Sequence, residues 1–570
     1  MEADNITIKG LGITGAGLEK AGVLLLASNN CTIDSNEFFN DALGIYLKNS
    51  IYNTILNNTA SNGRRAINLE RSNYNTIRDN DISSQRFGIY ITNSERNRLS
   101  GNQISKNSNH GIVLEYCKNN NLENNSAISN GDHGVYFASS TDNNLTGNVA
   151  DSNTLFGFSL VDSSNNSLTN NKAANNSRGV LLLRSGESEL KGNKISDNGY
   201  GIRISSSGNS KVSGNEVSNS NISGISSFDS SNCIINENML SNNTLGIDLI
   251  SSNNSRVLKN SLREGGRGIN LQNSGYNIFS DNADSNNKYG VYLIRSDWNT
   301  FSDNNVNSSL NHGVILDNSS NNNFTSNVVS SNGGHGFYLT TSSSNALNNN
   351  TASGNIRGIY LITSNGNILS SNTIRDNREY GFLLSYSMGN TLSGNEVSNS
   401  GRGIQLSTSE GNVISGNTIV SNSISGIFIS STSNNNVVFN NYLNNIFDAD
   451  VKEGSVGNIF NTTKTSGTNI IGGQYMGGNF WAKPDGTGFS QTAPDADGDG
   501  IADTVYSFSG NVSTDFLSLV EGSKSKPSAT PVIELNTSGM STNNAETNNT
   551  QMAANETQPG ANETQPSPME

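Results

Sequence analysis

The acidic run near the C-terminal end of this 570-residue chain has the clearest chemical spacing. Asp495, Asp497, Asp499 and Asp503 stand at positions 1, 3, 5 and 9 of a loop with glycine at position 6. Ile501, at position 7, can offer its backbone carbonyl. Hard oxygen donors at this spacing suit Ca2+. Tyr506 stands at position 12, where such loops carry a bidentate glutamate, and Asp515 from a later turn is the candidate replacement. An ion held there would be structural, fixing the end of the molecule.

A second set is aromatic. Tyr46, Tyr90, Tyr136, Tyr292, Tyr338 and Tyr360 share one phase of a repeat and are expected on the outer face of a sheet. Exposed phenol rings there would offer an apolar face with a polar tip, on which sugar rings stack. The histidines form a third set, His110 with His133 and His312 with His335. Their column also holds Arg65, Phe87, Phe156, Arg178, Tyr200, Arg267, Tyr289, Arg357, Tyr380 and Arg402, so we read it as stacked planar or long side chains. No Met or Cys gathers beside it, as copper(I) would prefer. Glu70 and Glu115 fall two coils apart, about 10 Å, with no third group converging on them, whereas glycoside hydrolysis needs two facing carboxylates. No residue is assigned a catalytic role. Cys31 and Cys233 lie nine coils apart, about 43 Å, too far for a disulfide, and Cys117 sits in another column.

What positions these groups is a repeat of 22 or 23 residues. Glycine, or once alanine, recurs from Gly22 through Gly44, Ala66, Gly88 and Gly111 to Gly426. Apolar residues follow the anchor at alternate positions, as in Ile89 and Ile91, which is strand patterning. Eleven residues after the anchor comes another apolar column, including Leu99, Leu122, Phe279, Phe301 and Phe324. Fourteen after every anchor is an asparagine, among them Asn102, Asn125, Asn148, Asn304, Asn327 and Asn350. Further asparagine columns fall nine after the anchor (Asn53, Asn75, Asn97, Asn277) and about four before it (Asn62, Asn107, Asn130, Asn332, Asn399). Asparagine suits left-handed turns, and stacked in register its amide bonds the next amide in a ladder. The intervals leave no room for crossover helices. The expected fold is all-β: a parallel β-helix of about twenty coils, three short strands per coil, stacked roughly 4.8 Å apart into a rod of roughly 95 Å.

On these columns the chain, from Gly22 to about Thr463, resembles the right-handed β-helix repeat proteins, specifically the NosD-like group. That group includes proteins described as periplasmic copper-binding and many archaeal cell-surface proteins, and overlaps a class of carbohydrate-binding and sugar-hydrolysing domains. The run Gly477-Gly478-Asn479-Phe480-Trp481 to Tyr506 resembles the C-terminal element of archaeal members, with Trp481 as a cap plug. Enzymes on this fold carry long loops that wall a cleft, and here no interval exceeds 23. Gly334-His335-Gly336 matches one piece of the polygalacturonase pattern without the rest. There is no acidic cluster like the calcium site of pectate lyases and no Tyr-Gly-x-Asp-Pro-His run as in alginate epimerases. The resemblance therefore implies a non-catalytic envelope rod with a polysaccharide as partner. A polysaccharide-active hydrolase, lyase or epimerase is the alternative, and a copper-handling factor the second.

Composition sets outer limits. Net charge is −14 and the isoelectric point about 4.8, which argues against nucleic acid or an anionic membrane as partner. Residues are 32% apolar and 14% charged, with 58 glycines, too polar for a compact globule but sufficient for a solenoid with a thin core. No apolar stretch of 18 exists, and Met1-Glu2-Ala3-Asp4 leads directly into a strand-like Asn5–Ile8. Sequons at Asn5, Asn57, Asn144, Asn221, Asn323, Asn461, Asn555 and Asn562 favour an extracellular glycoprotein with a trimmed N-terminus over an intracellular protein. We expect an incomplete first coil over 1–21, β-helix over 22–463, a cap over 464–521 and a disordered stalk-like tail over 522–570.

Overall fold

The computed structural model describes residues 2–17, 20–508 and 513–521. Two compact units are distinguished, Met1–Ser523 and Lys524–Glu570. The second has no residue among those described, so the stalk expected from 522 onward lies outside them.

Unit one is a right-handed β-solenoid of roughly twenty coils. One coil shows the pattern: Phe87–Thr92, then Arg98–Ser100, then Gln103–Ser105. Each strand pairs in parallel with its equivalent one coil away, for example Ile89 with Ile67 and Ile112, and Leu99 with Ile77 and Leu122. Stacking these pairs gives an anchor sheet of long strands, a second sheet and a third. The third is interrupted once, where single bridges Ser126–Val149–Lys172 carry it across. Before the first anchor strand, Thr7–Lys9 and Gly12–Thr14 already pair with Thr32–Asp34 and Glu37–Phe39 as members of the second and third sheets.

One inward residue from each three-residue strand and two from each anchor strand make a continuous apolar column. Ile89, Ile91, Leu99 and Ile104 are fully buried in the coil above. Phe279, Phe301 and Phe324 stack face to face at 4.4 and 4.6 Å. The anchor is glycine because the chain closes on itself there. A Cβ on Gly88 would lie 2.5 Å from both the Gly111 carbonyl oxygen and Ile104 Cγ2.

Around the apolar column run polar ladders. Asn102 Nδ2 donates to Asn125 Oδ1 at 2.8 Å, and the Asn102 N–H donates to the same oxygen at 3.1 Å. Asn125 repeats this to Asn148, Asn304 to Asn327, and Asn327 to Asn350. Each Nδ2 also donates to a carbonyl of the preceding coil, as Asn102 does to Ile77. All these amides are buried, and the ladder satisfies them without water. A serine column six residues after the anchor does the same with hydroxyls: the Ser140 N–H donates to Ser163 Oγ, and Ser163 N–H to Ser185 Oγ. It was legible as an almost constant serine, with Cys117 in one place. Cys31 and Cys233 substitute in the asparagine column nine after the anchor, and all three thiols are buried and free.

The third asparagine column needs a correction. Its buried members, such as Asn107, Asn130, Asn153 and Asn332, lie nineteen residues after the preceding anchor, whereas Asn62 and Asn399 are exposed and at positive φ. Counting back from the following anchor mixes the two, because the additional residue of each 23-residue coil enters between this ladder and that anchor. That turn is where His110, His133 and His312 sit.

After Val451 the coils give way to a cap. Phe480–Ala482 joins the third sheet beside Tyr442–Asn444, which puts Trp481 level with Leu443 and inside the column. Trp481 is 1% exposed and packs on Phe460, Tyr506 and Phe508.

Candidate functional site

The outer face of the anchor sheet carries the tyrosine column, and its surroundings differ from expectation. Tyr46, Tyr90, Tyr136, Tyr292, Tyr338 and Tyr360 are half-buried, not an exposed strip. The column just before the anchor leans over them. The Arg65 guanidinium lies 3.6 Å from the Tyr90 ring centre and that of Arg267 lies 4.1 Å from Tyr292. Tyr136 packs between His110 and His133 at 5.1 and 5.2 Å, and Tyr338 stacks on Tyr360 at 5.3 Å with Arg357 beside it. The phenol of Tyr46 donates to Glu70 and that of Tyr90 to Glu115, so both carboxylates are engaged. Burial, then the Glu70 bond, pushes the Tyr46 phenol up to about 12. The result is a layer of aromatic, guanidinium and carboxylate groups along much of the rod, broken at the coil that carries Ser223 and Ser226.

The histidine pairs belong to that layer. The rings of His110 and His133 are parallel within 1° at 4.8 Å, and those of His312 and His335 lie 4.6 Å apart. His110 Nδ1 accepts the N–H of His133 at 3.3 Å, and His312 Nδ1 that of His335 at 2.9 Å. The imidazole thus satisfies a backbone donor where the longer turn interrupts the ladder. Burial lowers all four, His133 and His335 to about 3, so the rings are neutral at physiological pH. Asp132 lies 3.4 Å from His110 Nδ1 and 3.6 Å from His133 Nδ1.

In the acidic run, carboxylate oxygens of Asp495, Asp497 and Asp499 lie within 4.8 Å of one another. Asp495 accepts from the N–H groups of Gly498, Asp499 and Gly500, Asp499 from that of Ile501, and Asp503 from that of Ala496. These bonds wrap the backbone around the acidic groups. The Lys464 ammonium pairs with Asp499. Asp515 is not at this loop. It is fully buried, and its carboxylate accepts from the Asn479 N–H and Trp481 Nε1, both at 2.8 Å. Tyr506 stacks on Trp481 at 4.8 Å. Both residues close the cap. The sequence does not separate these tasks, because an aspartate two turns downstream reads alike for either.

A cavity of about 530 Å3 lies in the last coils, lined by Ile424, Phe447, Asp450, Lys452 and Phe508. Asp450 pairs with Lys452 at 3.0 Å, and no second carboxylate lines the space. No helix among the described residues is long and apolar enough to cross a membrane.

Comparison with known proteins gives the family context. The family model "Periplasmic copper-binding protein (NosD)" matches residues 217–350 and 305–486, and the "Right handed beta helix region" model matches residues 21–173. No curated protein matches the chain. Among solved structures, the A-module of the mannuronan C-5 epimerase of Azotobacter vinelandii matches at 14% identity and TM-score 0.34, over 52% of this chain and 86% of that one. A periplasmic alginate epimerase matches at 18% and 0.31, over 59% and 75%. A surface adhesin of Streptococcus pneumoniae matches at 11% and 0.29, over 47% and 82%.

The copper in the family description can be tested on the donors present. His110, Asp132 and His133 bring ligand atoms within 4.8 Å of one another, but the two rings are stacked parallel and His110 Nδ1 already accepts the His133 N–H. The thiols are buried in separate coils, and burial pushes Cys117 up to about 12. Among the described residues the histidine–aspartate group has no thiol or thioether beside it, the soft ligands that copper(I) prefers. The stacked parallel coils and the two family matches make the chain a NosD-like right-handed parallel β-helix protein.

Proposed function

We propose that the chain is a non-catalytic polysaccharide-binding rod of the cell envelope. One observation carries the reading: a shallow, periodic outer face in which aromatic, guanidinium and amide groups recur in most coils, with no long loop among the described residues to wall a cleft. An extended ligand with its own repeat suits such a face, because modest contacts add along its length. Exposed sequon asparagines at Asn57, Asn144, Asn221 and Asn323 support an extracellular setting. A glycan array on the purified chain, followed by mass spectrometry of each bound glycan after incubation, tests it. Binding with the glycan mass unchanged is the expected result, and a shortened or unsaturated product replaces this reading with an enzymatic one.

The acidic turn enters the proposal as a structural Ca2+ site formed by Asp495, Asp497, Asp499, the Ile501 carbonyl and Asp503. Ca2+ would displace the Lys464 ammonium from Asp499 and hold the turn against the cap. Chelation should lower the thermal midpoint by several degrees, consistent with mass-action stabilisation of a few kcal/mol. Identical melts with Ca2+ and with chelator would remove the ion from the account.

A further inference from the structure

Eight residues after the anchor, or nine after Gly426, every coil makes a turn through left-handed backbone. From Asn30 to Asn435, nineteen coils place a residue there, all with φ between 54° and 66°. Turn chemistry explains most of them. Asn119, Asn165, Asn209, Asn232 and Asn254 are typical, and Gly366, Gly389 and Gly411 serve three late coils. Four are aromatic, and they come as two adjacent pairs: Tyr52 with Tyr74, and Tyr276 with Trp298. A bulky ring gains nothing from this backbone, and the rings stay exposed, although the Arg96 guanidinium lies 5.5 Å from the Tyr74 ring centre and donates to its hydroxyl at 2.6 Å. Their exposures are 54%, 38%, 61% and 53%. Within each pair the rings stack, at 5.1 Å and 23° for the first and 6.2 Å and 3° for the second.

We propose that these two pairs are stacking platforms for the pyranose rings of a neutral polysaccharide, on the turn ridge and separate from the half-buried tyrosine layer. This rests on the polysaccharide-binding reading above and moves the contact to another edge of the rod. Costly backbone conformations that turn chemistry does not require point to function. The oxygens of Asn73, Asn253 and Ser320 on the flanks accept the N–H groups of Glu95, Gly275 and Ser343, which leaves their N–H and O–H groups to donate to sugar hydroxyls. Asp297 beside the second pair disfavours a polyanion there, while Glu95 beside the first is paired with Arg96 at 3.2 Å. The pairs stand ten coils apart, roughly 48 Å, on the same edge, so one long chain can engage both.

Trp298 makes the test specific, since the other tryptophan, Trp481, is 1% exposed and silent to solvent quenchers. The probes are mannan, a soluble β-glucan and galactan, with alginate as the polyanion. A neutral polymer is expected to retard the protein in affinity gels and to protect Trp298 from iodide quenching. The variant Tyr52→Asn, Tyr74→Asn, Tyr276→Asn, Trp298→Asn restores the commonest turn residue. It should melt at or above the wild-type temperature yet bind at least tenfold more weakly, while Tyr338→Ala with Tyr360→Ala retains most of the binding. Wild-type and ridge variant equally retarded, with Trp298 unprotected, overturns the ridge and leaves the general reading standing. Wild type unretarded by all four polymers overturns both. Preference for alginate, or self-association of the wild type in sedimentation that the variant loses, assigns the ridge to another partner and overturns the proposal.

Discussion

Asp284→Val should raise the thermal midpoint at pH 8 and flatten much of the pH dependence of stability. Asp284 holds an inward position of the third sheet, between Leu262 and Val306 of the neighbouring coils. It is an isolated carboxyl in an otherwise apolar column, 1% exposed, with Asn287 Nδ2 donating to Oδ1 at 2.9 Å. Its Oδ2 has no partner and presses on Gly268, where no Cβ fits. Burial pushes the carboxyl from 3.8 up to about 7. Because the folded-state value is the higher one, the folded protein keeps a proton that the unfolded chain releases between those two values. Stability is therefore full below about pH 4 and declines as pH rises to about 7. That displacement corresponds to about 4 kcal/mol against the ionised form above pH 7. Valine, the residue of the next two coils, removes the penalty and fills the space. Asp448, also raised by burial to about 7, leaves a residual slope of the same sign. Melts followed by circular dichroism at pH 5 and pH 8 decide it. A valine variant that melts below wild type at pH 8 refutes the assignment.

Asp515→Ala should cost about 3–5 kcal/mol and loosen the cap, because it strands several buried donors at once. The asparagine ladder fourteen after the anchor passes from Asn417 to Asn441, fifteen after Gly426 because Asn440 turns out at positive φ, and ends at Asn479, whose Oδ1 accepts from Asn441 Nδ2 at 2.8 Å. Asp515 terminates it, accepting from Asn479 N–H, Trp481 Nε1 and, at 3.1 Å, Leu517 N–H. Burial pushes this carboxyl up to about 6, while those three donors pull it back. Asp448 ends a second ladder the same way, accepting from the N–H of Asn445 at 2.8 Å. A ladder of amides has an unsatisfied end, and an acceptor-only carboxylate completes it without needing a further donor. Asp515→Asn should fall between wild type and alanine. In a Trp298→Phe background the emission of Trp481 reports the cap alone, and a red shift at lower denaturant is expected for the alanine variant. The shift should appear equally with chelator present, since Asp515 is not in the acidic turn. An unchanged transition would mean that the ladder end is satisfied by other groups.

The sequence by itself determined the coil, its period, its three strands, the inward columns and the asparagine ladder, because each is a local pattern repeated until chance is no explanation. Trp481 as a plug was legible from its place just past the last regular coil. The structure alone decided which side chains are covered. Tyr90 and Tyr292 occupy an outward position, yet Arg65 and Arg267 reach over them from the preceding coil, and a single-coil pattern does not show where a long side chain swings. Likewise Tyr276 and Trp298 read as ordinary residues between columns until the backbone placed them at positive φ with nothing above them. Asp515 and the acidic turn share one chemistry in the sequence and separate only in space, since the cap brings Asn479 and Trp481 to the former. Periodic contacts follow from neighbours along the chain. Coverage, exposure and the ends of ladders follow from neighbours across it.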